Sequence, residues 1–150
     1  MRSYSLHHKI KIYFAGSIRG GRDDKNIYRQ MISKLEQYGT VLTEHVGNVD
    51  LTEFGEDNPN DEWIFTRDMD WVKESDVLIA EVTNPSLGVG YASARAETMG
   101  KPILCLYRQQ TNKRLSAMIN GNSEILINYY RTIEEAANTI NHFFLNLKIV

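Results

Sequence analysis

The sequence predicts an α/β protein with an open, five-stranded parallel sheet and helices on both faces. Three observations lead there. Extended apolar runs and amphipathic segments alternate five times along 150 residues, the pattern of repeated right-handed strand-helix-strand crossovers. Runs such as Val77–Val82 and Pro102–Tyr107 are apolar almost without a break, as strands buried on both faces of a parallel sheet must be. Glycine-rich segments follow the first and third runs, and in such sheets ligands bind beyond the carboxyl ends of the strands, where the strand order reverses. A chain of this length forms one domain with its own core.

Residues 1–8 are polar and irregular, which suits a loose leader. Lys9–Ala15 alternates and then turns wholly apolar, giving the first strand, which ends in Gly16-Ser17-Ile18-Arg19-Gly20-Gly21-Arg22. The hydroxyl, amides and guanidinium groups of that loop are donors suited to a phosphate, although a flexible turn with solvated arginines has the same composition. Asp23 or Asp24 is placed to cap a helix with Ile27, Met31, Leu35 and Tyr38 on one face, and Gly39 to stop it. Thr40–Glu44 reads as the second strand. The acidic stretch 47–61 is long for a connection in a compact domain, as lids and binding loops are.

A helix is expected over Asp61–Glu74, with Ile64, Phe65, Trp71 and Val72 on its apolar stripe and Asp68 at the stripe's centre. A carboxylate on an inward face needs an ionic partner or a task, and the spacing allows either. The third strand, Asp76–Val82, leads through Asn84-Pro85 into Ser86-Leu87-Gly88-Val89-Gly90, read as a glycine loop before a helix that runs to Gly100. Small residues there let a ligand approach the backbone, and the helix N-terminus favours an anion. Pro102–Tyr107 is the fourth strand, with Cys105 as a buried thiol. A polar excursion with one helical turn over Lys113–Ile119 follows, then the fifth strand, Glu124–Tyr129. Thr132 caps a last helix with Ile133, Ala136, Ala137, Ile140, Phe143, Phe144 and Leu147 on one stripe.

Composition narrows the function. A net charge of -2, with 42% hydrophobic and 24% charged residues, gives no electrostatic reason to expect a nucleic-acid polymer as partner. No apolar run approaches the roughly 18 residues of a membrane span, and the start lacks a signal-peptide core, so an intracellular protein is expected. One cysteine permits neither a disulfide framework nor a cysteine-based metal site. Two serine and glycine loops with Arg19 suit a phosphate monoester, since the polyphosphate and dinucleotide fingerprints are both missing. Tyr13, Asp68 and Tyr91 lie near that pocket in this scheme. A carboxylate and a phenol beside a phosphate anchor are compatible with cleavage at a sugar anomeric carbon, where an oxocarbenium-like transition state attracts carboxylates.

Four stretches at matching spacing, Tyr13–Arg22, Gly39–Val46, Val82–Tyr91 and Leu115–Ile119, closely resemble the 2'-deoxynucleoside 5'-phosphate N-hydrolases of the nucleoside 2-deoxyribosyltransferase superfamily. The resemblance covers about Ile10–Tyr129. It implies a flavodoxin-like (Rossmann-like) fold and a homodimer. The implied reaction is hydrolysis of deoxynucleoside 5'-monophosphates, with 5-hydroxymethyl-dUMP as a substrate type, to free base and 2-deoxyribose 5-phosphate without metal or cofactor. It also implies nucleotide-pool cleaning in the cytoplasm or nucleus. Carried over by position, Ser17, Arg19, Ser86 and Gly88 would bind phosphate, and Ser116, with Met118 beside it, would complete the neighbouring subunit's site. Tyr13 would lie at the scissile bond, Asp68 would orient the nucleophile or sugar and assist proton transfer, and Ile18 and His45 would line the base.

The sequence departs from the family at one decisive position. The family's nucleophilic glutamate follows the Gly-Val-Gly-Tyr tetrad, where this chain has Ala92. The site expected there is the first helical turn, which would favour an ionised carboxylate. Glu97 is no obvious substitute, being rotated roughly 140° and lifted about 7.5 Å along the helix. Three explanations stay open: an introduced substitution that traps a bound nucleotide, a natural binding-only relative, or a carboxylate placed elsewhere. Transfer of deoxyribose between bases is a further alternative to hydrolysis.

Overall fold

The computed structural model describes residues 9–48, 50–56 and 60–147. The expected leader, residues 1–8, and positions 49 and 57–59 of the acidic stretch lie outside the described residues. Strands β1 (Ile10–Ala15), β2 (Gly39–Val41), β3 (Val77–Glu81), β4 (Ile103–Arg108) and β5 (Leu126–Tyr130) form one sheet. Its order is β2-β1-β3-β4-β5, with every neighbouring pair parallel. This is the flavodoxin-like order, whose reversal falls between β1 and β3.

Alternation along the strands builds two cores. Ile12, Phe14, Ile79, Leu104 and Leu106 point to the face covered by α1 (Lys25–Leu35) and α5 (Ile133–Leu145), through Tyr28, Met31, Leu35, Ile140 and Phe143. Tyr13, Ala15, Leu78, Ala80 and Cys105 point to the other face, covered by α2 (Asp61–Glu74) and α3 (Leu87–Thr98), through Val72, Val89, Ala92 and Ala96. Strand residues are therefore apolar on both sides, which accounts for the continuous runs in sequence. Cys105 is buried, and burial first, with Glu81 second, pushes its thiol up to about 12. No described helix is long and apolar enough to cross a membrane.

The structure redraws several boundaries. Helix α1 ends at Leu35, before Tyr38, so Gly39 is not its stop; it opens β2, where an added Cβ would lie 2.1 Å from the Ile10 carbonyl oxygen. Close approach of two strands requires glycine there. Asp24 stands at the α1 N-cap without a capping hydrogen bond, because its carboxylate pairs with Arg108 at 2.9 Å. The second strand stops at Val41, since Thr43 turns inward: its hydroxyl donates to the Phe14 carbonyl at 2.6 Å and accepts from the Phe14 amide at 2.9 Å. Both Gly88 and Gly90 lie inside α3, which begins at Leu87, rather than in a loop before it. The expected fifth strand shifts to Leu126–Tyr130, and helix α4 (Ala117–Asn120) is the turn in the polar excursion.

A buried carboxylate ties the carboxyl ends of β3 and β5 together. Glu81 is fully buried and accepts from the Thr83 amide at 2.6 Å, from the Thr83 hydroxyl at 3.0 Å, and from the Tyr130 hydroxyl. Desolvation raises its pKa, and these donors only partly offset that.

Candidate active site at the strand-order reversal

The loops after β1 and β3 leave the sheet at its reversal and lie side by side, as expected for this topology. The Asn84 side-chain amide donates to the Gly21 carbonyl at 3.2 Å, and a Cβ on Gly20 would lie 2.6 Å from the Pro85 carbonyl oxygen. Arg22 is occupied by backbone carbonyls. Its guanidinium donates to the carbonyls of Ser17, Asn48 and Leu51 at 2.9–3.1 Å and so fastens the first loop to the segment after β2.

A cavity of about 500 Å³ opens beneath these loops. Tyr13, Ile18, Arg19, His45, Asp68, Ser86, Gly88 and Ala92 all line it, so eight of the sequence-derived positions converge on one space. At the loop end, the Ser86 hydroxyl accepts from the Val89 amide at 3.3 Å and caps α3. The amides of Leu87 and Gly88 lie in the first helical turn, where they have no intrahelical acceptor and can serve an anion. A Cβ on Gly88 would meet nothing closer than Ser86 Oγ at 3.9 Å. The absence of a side chain there is therefore not forced by packing within the chain, and it keeps the backbone open to the cavity. Arg19 Nη2 lies 2.9 Å from Asp61 Oδ1 with both side chains mostly exposed. Such a pair holds weakly, leaving the guanidinium free to swing to a phosphate.

At the other end, Tyr13 from β1 and Asp68 from α2 face each other, the phenol oxygen 3.5 Å from Asp68 Oδ2. Burial, followed by the charge of Asp68, raises the Tyr13 pKa, so the phenol keeps its proton and is a donor at neutral pH. The other oxygen, Asp68 Oδ1, accepts from Arg67 Nε at 3.0 Å. His45 has its pKa lowered, chiefly by burial, and is neutral near pH 7. The stripe on which Asp68 sits divides: Ile64, Phe65 and Asp68 line the cavity, whereas Val72 is fully buried in the core and Trp71 packs against it. Ala92, 4% exposed, stands in the second turn of α3, because the helix starts at Leu87. The dipole advantage expected for a first-turn carboxylate is accordingly small at this position.

Four expected contributors lie apart. Ser17 is fully buried, its hydroxyl has no hydrogen-bond partner among the described residues, and it does not line the cavity. Ser116 and Met118 line a second space of about 590 Å³ between α3 and α4. That space shares Gly20, Ser86, Leu87 and Val89 with the first. Ser116 caps α4 by accepting from the Met118 amide at 3.3 Å. Tyr91 lies outside the cavity, on the surface, accepting from Arg95 Nη1 at 2.8 Å. Glu97 accepts from Asn122 Nδ2 at 2.7 Å and lines the second space, so it does not replace the carboxylate missing at position 92. Sequence reasoning missed Glu56 and Asp61, which also line the cavity. Only the length and acidity of the stretch 47–61 pointed to them.

Comparison with known proteins agrees with this architecture. The sequence model of the family described as nucleoside 2-deoxyribosyltransferase matches residues 12–142. The 5-hydroxymethyl-dUMP N-hydrolase of Tetraodon nigroviridis is 49% identical over 144 residues, covering 93% of this chain and 100% of that one. The protein of the same name from Danio rerio is 49% identical over 141 residues, covering 92% and 98%. Among solved structures, the CMP N-glycosidase of Clostridium botulinum superposes with a TM-score of 0.67 at 21% identity, covering 89% of this chain and 98% of that one, a likeness of fold. The chain belongs to the nucleoside 2-deoxyribosyltransferase family.

Proposed function

We propose that the cavity binds a 2'-deoxynucleoside 5'-monophosphate and is built to hydrolyse its N-glycosidic bond. The observation that carries this reading is the polarity of the cavity: open α3 amides and Arg19 at one end, the Tyr13–Asp68 pair at the other. Its volume of about 500 Å³ suits one nucleotide. The relatives named as 5-hydroxymethyl-dUMP N-hydrolases make that nucleotide the first substrate to try.

With phosphate on the α3 N-terminus, the sugar falls beside Tyr13, Asp68 and residue 92. Departure of the base takes the C1'–N bonding pair and a proton, and positive charge builds on the sugar ring. The Asp68 carboxylate offsets that charge and orients a water whose oxygen bonds to C1' as its proton leaves, giving free base and 2-deoxyribose 5-phosphate. A carboxylate at position 92 would instead attack C1' directly. Ala92 removes that route, so the present chain binds well and turns over slowly.

The exposed Leu87 and Met118, 97% and 83% exposed, flank the second space. They support pairing of two copies through this face, with Ser116 brought to the phosphate end of the neighbouring site. Incubation with 5-hydroxymethyl-dUMP and chromatography of the products tests the reaction. Slow base release, abolished by Asp68→Asn, supports the hydrolase reading. Tight binding with no release at high protein concentration favours a nucleotide-binding protein without catalysis, to which Ala92 also points. Release that depends on an added acceptor base would instead indicate deoxyribosyl transfer.

A further inference from the structure

The side chain that holds Asp68 belongs to no motif. Arg67, mostly buried, donates Nη1 to Glu56 Oε1 at 2.7 Å and Nη2 to Glu56 Oε2 at 2.8 Å, a bidentate fork. Its Nε donates to Asp68 Oδ1 at 3.0 Å, and Nη2 lies 3.5 Å from His45 Nε2. The guanidinium carbon lies 5.1 Å from the Trp63 ring centroid and 4.5 Å from that of Trp71. Trp63, Arg67 and Trp71 recur every four residues on α2, so they stack along one helix face. The chain has only two tryptophans, and both flank this one cation.

Each contact does something definite to the cavity. By taking Asp68 Oδ1, Arg67 leaves Oδ2 as the oxygen turned to Tyr13 and the cavity. By gripping both oxygens of Glu56, it seats the segment after β2 as a wall of the same space. That grip keeps Glu56 ionised, since the Arg67 hydrogen bonds are the main reason its pKa is lowered.

We propose that Arg67 is a positioning residue that couples the Glu56 wall to the orientation of Asp68, so that the base side and the sugar side of the site form together. This rests on the nucleotide-binding reading given above. A lysine cannot reproduce the arrangement, because one ammonium group cannot span Glu56 bidentately and still hold Asp68 through a second nitrogen.

The test is titration of the full chain with dUMP, followed in parallel by calorimetry and by tryptophan emission, for the unaltered protein and for Arg67→Lys, Glu56→Gln and the double variant. Glu56 lies in a surface segment, so Glu56→Gln reports even if Arg67→Lys folds poorly. We expect dUMP to change the tryptophan emission of the unaltered chain. Each single variant should bind dUMP about tenfold more weakly and lose most of the emission change, and the double variant should be no weaker than the worse single one, the mark of a shared interaction. Tight dUMP binding with unchanged emission, or single variants with unaltered affinity, would overturn the coupling while leaving the nucleotide site standing. Failure of the unaltered chain to bind either dUMP or 5-hydroxymethyl-dUMP would overturn the site itself and this inference with it.

Discussion

Replacing Ala92 by glutamate puts the reaction scheme at risk in two independent ways. The side chain gains four heavy atoms, which project into a cavity of about 500 Å³, so no overpacking is expected. Helix propensity costs a few tenths of a kcal/mol. The larger effect is electrostatic, because Asp68 lines the same space. At the ~5.5 Å separation of a nucleophile and its partner carboxyl, and an effective dielectric of about 20, two carboxylates repel by about 3 kcal/mol. Arg67, already on Asp68, offsets part of this, leaving about 1–3 kcal/mol. For a domain of this size that is a fall in Tm of about 2–12 °C near neutral pH, shrinking on acidification as one carboxyl of the pair takes up a proton. Differential scanning calorimetry as the pH is lowered reads it. The same substitution should raise the rate of base release at least about 10³-fold, equivalent to about 4 kcal/mol of barrier. A folded, nucleotide-binding variant with no gain in rate would refute the assignment of position 92. A Tm deficit relative to the unaltered chain that does not change with pH would refute the proximity of residue 92 to Asp68.

Other perturbations test the supporting parts. Arg19→Ala should leave Tm within about 1–3 °C, because the Arg19–Asp61 pair is exposed. It should also cut the calorimetric preference for monophosphate over nucleoside by about 10–100-fold, the loss of a charged hydrogen bond. Gly20→Ala forces a Cβ to within 2.6 Å of the Pro85 carbonyl and 2.8 Å of Ser17 Oγ. It should cost about 1–3 kcal/mol in a urea melt and weaken dUMP binding as the two loops part. Glu81 has a raised pKa when folded, so its contribution is complete below the ordinary glutamate range and is lost as pH climbs through the raised value. Glu81→Gln should therefore flatten the decline of stability above about pH 4.5, read from urea midpoints between pH 4 and 8; an unchanged slope would contradict burial of an ionisable group there.

The sheet was legible because strands buried on both faces leave unbroken apolar runs, and Phe14, Ile79 and Leu106 mark their centres. Boundaries were less so. Gly39 reads as a helix stop in sequence, yet its role is to leave room for the Ile10 carbonyl oxygen, which would lie 2.1 Å from an added Cβ, a contact between strands that no local pattern encodes. Gly88 and Gly90 read as loop because glycine is a poor helix former, but the Ser86 cap and the packing of Val89, Ala92 and Ala96 carry the helix through them. Asp68 was visible as a polar residue on an apolar stripe, although the stripe turned out to face a cavity. Arg67 and Glu56 were not visible: they meet across eleven positions through a stretch without periodicity. Ser17 stood out as a phosphate ligand by motif alone, and its hydroxyl is buried away from the cavity.

The most direct test of the central claim is a crystal structure of the chain with dUMP bound. Phosphate should lie on the Leu87 and Gly88 amides and Arg19, with the anomeric carbon between Ala92 and the Asp68 carboxylate. A nucleotide lying in the space between α3 and α4, or one whose sugar points away from Asp68, would contradict it.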